Sequence, residues 1–346
     1  MLGTLNEELE MRAKHGKQWV VAGCTGSFLL IAYLVNASWL AKPTRTRTLW
    51  LAHRGVHQTY SRAGLTNETC TAVRIEPPRH DYIENTLASM RAAFDCGADV
   101  VEIDEHPTTD GHFAVFHDWA LDCRTNGQGV TRDQTMSYLK SLDVGYGYTA
   151  DGGVTFPLRG KGVGLMPSLA EVLDAFPGRR FLVNIKSNDE SEAEKLARFL
   201  RNRPAEGLRA IAFYGAEPPV RRLLGLVPEL RGFTRASVKS CFARYIAYGW
   251  TGVMPAVCRH AIEVIPSNYA GYLWGWPHRF FNRMAAADSE VFIVSTRNLG
   301  DDNGLSGIDS PGDLAALGES FEGGIWTNRI ELLGPMTSVG SIPSRY

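Results

Sequence analysis

Three apolar, strand-like runs of the chain each end in side chains that can transfer protons or bind cations. In chain order, the runs and the polar residues that end them are 48–53 with His53, 99–104 with Glu102 and Asp104, and 112–117 with His117. Because the carboxyl ends of parallel strands meet on one rim of a barrel, side chains in these positions converge on one site. The pattern therefore favours a parallel α/β fold with a catalytic rim.

The spacing of the two acidic residues predicts a cation. Glu102 and Asp104 lie two residues apart, so both side chains share one face of a strand. Two carboxylates on a buried face repel each other strongly unless a cation lies between them. Oxygen ligands suit Mg²⁺ or Ca²⁺, and the pair therefore predicts one divalent cation. Taken singly, each motif has an ordinary alternative, since a histidine after a strand is often structural and a Glu-x-Asp pair is often a solvated edge.

Strand-like and helix-like runs alternate along most of the chain, which predicts βα units. A chain of 346 residues with 44% hydrophobic residues can bury one large core, and we expect an α/β fold, a (β/α)8 TIM barrel, in residues 48–335. Helices are predicted over 85–96 and over 169–176, and the second starts with the capping-box pattern of Ser168 and Glu171. The candidate strands lie at 48–53, 99–104, 112–117, 180–186, 208–214, 229–234, 290–295 and 323–327.

Long connections on the catalytic face are a second expectation. Residues 55–83 form a connection far longer than a usual βα loop, and we expect it to cover or shape the pocket. Roughly residues 118–165 form a second long connection, which is rich in glycine. Cys70 and Cys123 fall on these two loops, and a disulfide between them fits an oxidising compartment, although the sequence does not fix the pairing. The aromatic run 269–277 either lines a site for an alkyl or choline-like group or packs in the core.

The N-terminal part of the chain predicts one transmembrane helix before the barrel. Residues 1–18 are polar, whereas the 23 residues 19–41 contain no charge and would form a helix roughly 35 Å long. A cleaved signal peptide and a buried core helix are the alternatives. Basic residues flank the segment equally, so charge leaves the orientation of the helix in the membrane open. Our hypothesis is a single-pass membrane protein with an extracytoplasmic barrel. Residues 336–346 are expected to be a tail.

The overall charge excludes one class of partner. The formal net charge of −1 gives no attraction to nucleic acid. The sequence has no phosphate-binding loop, no dinucleotide-binding glycine pattern and no zinc-type cysteine and histidine spacing. We therefore expect a small-molecule or lipid partner and a membrane contact through residues 19–41, and the oligomeric state stays open.

Short motifs surround the candidate residues. They are His53-Arg54-Gly55, Glu84-Asn85-Thr86, Val101-Glu102-Ile103-Asp104, Thr109-Asp110-Gly111, His117-Asp118, Met166-Pro167-Ser168 and Thr327-Asn328-Arg329. Together they resemble the glycerophosphodiester phosphodiesterase family. The resemblance runs from about residue 48 to residue 335 and is most specific over 81–129.

This resemblance implies metal-dependent cleavage of a phosphodiester. His53 and His117 would divide the acid and base work, in an order that the sequence leaves open. The cation would lie between Glu102, Asp104 and the phosphate oxygens, where it neutralises charge in the transition state.

Three more residues receive expected roles. Arg54 would hold the phosphate or orient the carboxylates. Lys186 shares a strand face with Asn184 and would also meet the phosphate. Glu84 would lie beside Arg54 and the metal, either as a ligand or as a support for the ligands.

One position departs from the family pattern. The family has Glu-Ile-Lys on the fourth strand, with the glutamate as a metal ligand, whereas this chain has Asn184-Ile185-Lys186. An amide oxygen ligates Mg²⁺ or Ca²⁺ with less charge, and Asn184 is expected as the third metal ligand. Asn328 and Ser295 depart as well, which leaves the substrate open.

The leading hypothesis is a metal-dependent phosphodiester hydrolase acting on glycerophosphodiesters or lysophospholipids. A second hypothesis keeps the fold but has a phospholipase D-like transphosphatidylase that releases a cyclic phosphate. A third is a membrane-bound binder of lipid headgroups without catalytic activity, which the presence of both histidines and both carboxylates disfavours.

Overall fold

Parallel strands form a nearly closed barrel in the computed structural model, which describes residues 2–43, 47–66, 69–297, 306–318, 321 and 323–338. The strands of its sheet, in chain order, are β1 (Leu49–His53), β2 (Val100–Pro107), β3 (Phe113–Val115), β4 (Arg180–Ile185), β5 (Ile211–Gly215), β6 (Arg231–Thr234), β7 (Ile262–Pro266), β8 (Glu290–Val294) and β9 (Gly324–Thr327). Hydrogen bonds order them β6-β5-β4-β2-β1-β9-β8-β7, and β6 lies against β7 where the ring closes. The expected (β/α)8 barrel is confirmed.

One predicted strand is wrong, and one barrel strand was not predicted. The run 112–117 is not a barrel strand, because the chain reverses at Thr108–His112 and β3 pairs antiparallel with β2. Gly111 has a φ of 87°, and the Thr108 N–H donates to the His112 carbonyl at 2.8 Å, so a tight turn closes this hairpin. The eighth barrel strand is β7, which was not predicted, because Glu263 interrupts its short apolar run.

Helices cover the outside of the barrel. The described α-helices are α1 (Leu2–Asn36), α2 (Leu87–Asp95), α3 (Met136–Ser141), α4 (Leu169–Ala175), α5 (Glu192–Arg201), α6 (Ala205–Leu208), α7 (Glu217–Leu226), α8 (Arg235–Tyr248), α9 (His278–Ala286), α10 (Pro311–Ala315) and α11 (Ile330–Ser338).

Capping residues account for the starts of the two predicted helices. The Thr86 side chain accepts from the Ser89 N–H at the start of α2. Ser168 and Glu171 form the predicted capping box at the start of α4. Both helices lie within one or two residues of their predicted bounds.

Apolar side chains pack on both sides of the strands. Inside the barrel, Leu51, Leu182, Phe292 and Trp326 belong to one buried cluster. The outer faces pack against the helices, where Met90 and Phe94 of α2 are buried. This double burial explains why barrel strands read as nearly continuous apolar runs.

The two long connections are ordered and pack on each other. Ala72 and Ile75 from the first connection share a buried cluster with Leu121, Leu142 and Tyr148 from the second. The Cys70–Cys123 disulfide joins the two connections. A second disulfide, Cys241–Cys258, was not predicted and ties α8 to the segment before β7.

The N-terminal helix differs from its predicted bounds. α1 starts within the polar segment 1–18 and ends at Asn36 rather than at residue 41, because Ala37 has extended backbone angles and a short 3-10 turn follows. The Ser38 Oγ accepts from the His278 N–H at 2.9 Å, which fixes this change of direction. Lys14–Asn36 is long and apolar enough to cross a membrane, a property that a signal sequence shares.

The carboxyl end also differs from its predicted bounds. α11 continues to Ser338, three residues beyond the predicted end of the barrel domain at residue 335. Residues 339–346 of the predicted tail lie outside the described part of the chain.

Glu263 of β7 provides a test of the packing around the barrel, because it is a buried acid. Its side chain is buried, and its Oε1 has no hydrogen-bond partner among the described residues. Burial raises the pKa of Glu263 to about 9. Because the folded chain holds this proton more tightly than the unfolded chain, stability is lost as the pH rises from about 4.5 to about 9. Glu263→Gln should therefore raise the free energy of unfolding at pH 8 by about 1–3 kcal/mol, and by much less at pH 5.

Urea unfolding of the full chain in detergent, followed from pH 5 to pH 9, measures this difference. Glu229→Gln, at an exposed glutamate, is the matched control and should leave the free energy of unfolding unchanged at every pH. A Glu263→Gln variant whose stability tracked the original chain across the range would contradict the assignment of a buried, uncompensated carboxyl.

Candidate active site

The carboxyl ends of the barrel strands bring the predicted polar residues together. His53 is the last residue of β1 and lies opposite Glu102 of β2, and Asp104 lies opposite Asn184 of β4. His117 comes from the end of the β3 hairpin rather than from a barrel strand, and the Phe116 N–H before it donates to the Asp104 carbonyl at 3.0 Å. The hairpin therefore delivers the second histidine to the same rim.

Glu102 is wholly buried and accepts hydrogen bonds on both oxygens. The Tyr214 hydroxyl donates to Oε1 at 2.7 Å, and the Arg54 backbone N–H donates to Oε2 at 3.1 Å. Burial, together with the charge of Asp104, raises the pKa of Glu102 to about 8. The two acids therefore do not both ionise at neutral pH without additional positive charge.

Asp104 is also wholly buried, but donors and cations surround it. Its Oδ2 accepts from the Asn85 Nδ2 at 3.0 Å and lies 3.3 Å from the Arg54 Nε. Its Oδ1 accepts from the Asn184 Nδ2 at 2.9 Å and lies 3.5 Å from the Lys186 Nζ. Burial opposes ionisation, yet the nearby cations hold the pKa of Asp104 well below its ordinary value.

Arg54 has an unusual backbone conformation, which directs its side chain toward the buried acids. Its φ of 56° is left-handed, and Gly55 follows with a φ of 76°, where a side chain would collide with Ser89. The turn aims the Arg54 guanidinium at Glu84, with NH1 3.1 Å from Oε1. Burial opposes the charge, but Glu84 and Asp104 raise the pKa of Arg54 above its ordinary value.

The two histidines have different partners. The His53 Nδ1 lies 2.6 Å from the Asn328 Oδ1, and the Asn328 Nδ2 donates to Asp309 at 2.7 Å, which fixes the orientation of the amide. The His117 Nδ1 lies 2.6 Å from the Asp118 Oδ1. Burial lowers the pKa of both rings, and the charge of Arg54 adds to this effect.

Arg124 was missed as a site residue although it lies only seven residues after His117. Its guanidinium is buried and donates to Glu84 at 3.0 Å and to Asp118 at 2.8 Å. It also donates to the Tyr148 hydroxyl at 2.7 Å. Arg124 therefore links the support of Arg54 with the support of His117.

Three other contributors were also missed. Tyr214 lies near the end of β5, and Asn85 and Asn328 hold Asp104 and His53. Tyr214 has a usable signal, since it is a polar residue near the end of an apolar run, as His53 and Asp104 are. The two asparagines occur in quoted motifs, but their partners are distant in sequence.

Glu102, Asp104 and Asn184 are the residues that could hold a cation. The two buried carboxylates need positive charge to ionise together, which fits a hard divalent ion. Asn184 is beside Asp104, but its amide nitrogen faces the carboxylate, so ligation requires the amide to turn its oxygen inward. No group of three or more His, Cys, Asp or Glu side chains in the described ranges is arranged to hold a metal.

The aromatic run 269–277 does not reach this group of residues. Trp276 packs on Phe280 and Phe281, and Tyr269 packs on Phe242. Tyr272 and Trp274 are exposed beside α8 and α9. Core packing therefore explains part of the run, and the rest lies at a different surface.

Comparison with known proteins identifies the region that carries the site. Residues 53–206 match the model of the Glycerophosphoryl diester phosphodiesterase family. The chain is 38% identical over 103 residues to a glycerophosphodiester phosphodiesterase of Caldanaerobacter subterraneus, in a match that covers 30% of this chain and 39% of that protein. It is 34% identical over 87 residues to human glycerophosphodiester phosphodiesterase 1, covering 22% of this chain and 26% of that protein. The chain spans about two-fifths of the length of the bacterial relatives it matches.

Solved structures agree on the fold. A glycerophosphoryl diester phosphodiesterase domain from Mycobacterium tuberculosis superposes with a TM-score of 0.56 at 11% identity and covers 84% of this chain and 99% of that one. A glycerophosphodiester phosphodiesterase from Agrobacterium tumefaciens gives 0.53 at 22% identity with the same coverage. All of the site residues predicted from the sequence lie inside the matched region 53–206.

Arg124 is the most testable support of the site. Replacing it with methionine keeps much of the side-chain volume but leaves Glu84 and Asp118 facing each other without their shared cation. We expect Arg124→Met to lower the free energy of unfolding by about 3–5 kcal/mol, the usual cost of removing one partner of a buried ion pair. Arg198→Met, at an exposed position of α5, is the control and should change it by less than about 0.5 kcal/mol. Chemical denaturation compares them, and equal stability of the two variants would show that Arg124 is not a buried bridge.

Proposed function

We propose that this chain, whose residues 53–206 match the model of the Glycerophosphoryl diester phosphodiesterase family, hydrolyses phosphodiesters of the glycerophosphodiester or lysophospholipid class. One observation carries the proposal. Two histidines with separate hydrogen-bond partners flank a buried carboxylate pair and two cationic side chains on one barrel rim. Cleavage of a phosphodiester needs a base, an acid and positive charge near the phosphate.

His53 is assigned as the base. The Asn328 amide oxygen accepts from the His53 Nδ1–H, because the amide nitrogen is already committed to Asp309. The unprotonated Nε2 then faces the rim, 3.7 Å from Glu102. It removes the proton from the attacking hydroxyl, which belongs to water or to the glycerol of the substrate itself.

His117 is assigned as the acid. The Asp118 carboxylate, 2.6 Å from Nδ1, favours the protonated ring, whereas the amide beside His53 carries no charge. A bound phosphate anion offsets Arg54 and Lys186, the two cations that lower the pKa of His117 in the free protein. His117 then donates its proton to the leaving alkoxide.

Lys186, Arg54 and a bound cation are assigned to the negative charge of the phosphate. Lys186 lies at the edge of the site and is free to contact a phosphate oxygen while it stays near Asp104. Arg54 is held by Glu84 and orients Asp104. One Mg²⁺ or Ca²⁺ held by Glu102, Asp104 and Asn184 would supply further neutralisation of the transition state when bound.

Membrane association is part of the proposal. α1 contains the apolar segment Lys14–Asn36, and an anchor there would hold the barrel near lipid substrates. Two disulfides in the barrel support an extracytoplasmic domain, because disulfides persist in oxidising compartments.

Product analysis tests the activity. The full chain is incubated with glycerophosphocholine or lysophosphatidylcholine in Mg²⁺, Ca²⁺ or chelator, and products are followed by phosphorus NMR. We expect a phosphomonoester, and we expect His53→Ala and His117→Ala to lower turnover by at least about 10²-fold, the usual contribution of proton transfer.

His260→Ala is the control, because this histidine is exposed and pairs with Asp288. It should keep the original turnover. A cyclic phosphate product would instead favour the transphosphatidylase, and absence of cleavage under every condition would favour a lipid-headgroup binder. Full turnover in His53→Ala or in His117→Ala would show that the replaced histidine takes no part in the proposed mechanism.

Asn184 tests the proposed metal site. The chain has two carboxylates where the resemblance leads us to expect three, so its attraction for a divalent cation is weaker. Asn184→Glu should tighten Mg²⁺ or Ca²⁺ binding about tenfold, and Asn184→Ala should loosen it, as measured by calorimetry. Asn202→Glu adds the same charge at the exposed end of α5 and should leave the affinity unchanged. If all three variants bind the cation alike, Asn184 is not a ligand and serves only to hold Asp104.

A further inference from the structure

Apolar side chains are exposed on the barrel surface next to α1. Tyr248 and Val253 are 62% and 64% exposed, and Trp274 is 42% exposed. The Trp274 Nε1 donates to the Ile246 carbonyl at 2.8 Å, which joins the segment before β7 to the segment after it. We call Ile246, Tyr248, Trp250, Val253 and Trp274 the anchor-side patch. A cluster of exposed apolar side chains on a protein surface marks an interaction surface.

The end of α1 is fixed to this surface by specific contacts. The Phe28 and Trp250 rings meet edge to face with centroids 5.5 Å apart. The Asn36 Nδ2 donates to the Trp250 carbonyl at 2.8 Å, and the Arg283 guanidinium donates to the Val35 carbonyl at 2.9 Å. A cation on the last carbonyls of a helix also suits the helix dipole. α1 is therefore joined rigidly to the barrel rather than tethered by a loose linker.

The position of Phe28 along α1 fixes the depth of the patch. From Phe28 to Asn36 the helix rises about 12 Å, and from Lys14 to Phe28 it rises about 21 Å. A hydrocarbon core is about 30 Å thick, so the apolar part of α1 before Phe28 is too short to cross it alone. A bilayer that contains α1 must reach past Phe28, and there it meets Trp250 and its neighbours.

We propose that the anchor-side patch is itself a membrane-binding surface, inserted into the lipid layer around the end of α1. The inference rests on the proposed membrane anchoring and goes beyond it, because it assigns part of the barrel to the bilayer. Tyrosine and tryptophan are the residues that favour the boundary between lipid headgroups and acyl chains. Arg244 and Arg259 are exposed near the ends of the patch, where they suit anionic headgroups.

The groove between α1 and α9 supports lipid as the occupant. It has a volume of about 540 Å³ and is lined by apolar Leu34, Val35 and Ala286, by Gly252, and by polar Arg279, Asn282 and Arg283. Its position beside the apolar segment of α1 and its two arginines make a phospholipid, with an acyl chain and an anionic phosphate, a suitable occupant, whereas a soluble protein partner would have to enter the lipid layer to reach it.

Site-specific crosslinking tests the proposal. A photoreactive benzoyl-phenylalanine is placed at Val253 in the patch, at Val21 in α1 or at Arg91 on α2, in the full chain reconstituted into phosphatidylcholine and phosphatidylglycerol vesicles. Val21 reports the anchor, and Arg91 reports background, since α2 precedes β2, four strands around the ring from β7. After illumination, mass spectrometry measures phospholipid adducts. We expect adducts at Val21, and adducts at Val253 at least about fivefold above those at Arg91.

The outcomes separate the two proposals. Lipid adducts at Val21 with only background at Val253 would overturn the patch and leave the anchor in place. Background at both positions would remove the anchor and the patch together. A crosslink from Val253 to a second copy of the chain, without lipid, would also overturn the proposal, because it would assign the patch to a protein interface.

Discussion

Two buried carboxylates, Glu102 and Asp104, determine the arrangement of nearly every other polar group on the rim. Burial makes the ionised form of each carboxylate costly unless donors or cations surround it. Four side chains do so, and they come from different elements: Tyr214 from β5, Asn184 from β4, Asn85 before α2 and Arg54 after β1. The strained turn at Arg54 is tolerated because it completes this ring of donors. Even so, Glu102 keeps a raised pKa, and this remaining deficit of positive charge is what a cation or a cationic substrate group would fill.

Local patterns predicted most of the barrel, and the errors have a physical cause. Runs that are buried on both faces are visible as continuous apolar segments, and capping residues such as Ser168 mark helix starts within a residue. The β3 hairpin was misassigned because a short apolar run looks the same whether it enters the barrel or folds back on its neighbour. β7 was missed because Glu263 breaks its apolar run, and only the packed helices outside explain why that acid is buried.

The site was predictable where function sits at strand ends and less so where it depends on distant partners. His53, Glu102, Asp104 and His117 follow from their positions at the ends of apolar runs, and the structure brings them together. Arg124 was not predicted as a contributor, because its value comes from bridging Glu84 and Asp118, a geometry that no local spacing encodes. The different partners of the two histidines, an amide and a carboxylate, were equally hidden, and they are what distinguishes the proposed base from the proposed acid.

Polar groups converge on the carboxyl rim, whereas Ile246, Tyr248, Val253 and Trp274 are exposed where α8 and α9 contact α1. Arg283 joins α1 to the barrel, because its guanidinium donates to the Val35 carbonyl at the end of α1, to the Tyr245 hydroxyl and to the Gly249 carbonyl. The Val35 carbonyl, which has no partner within the helix, is thereby paired. A helix end joined in this way transmits its position to β7 and β8, whose carboxyl ends lie on the rim. An anchor fixed at α9 would therefore set the orientation of the active site relative to the bilayer, and not only its distance from it.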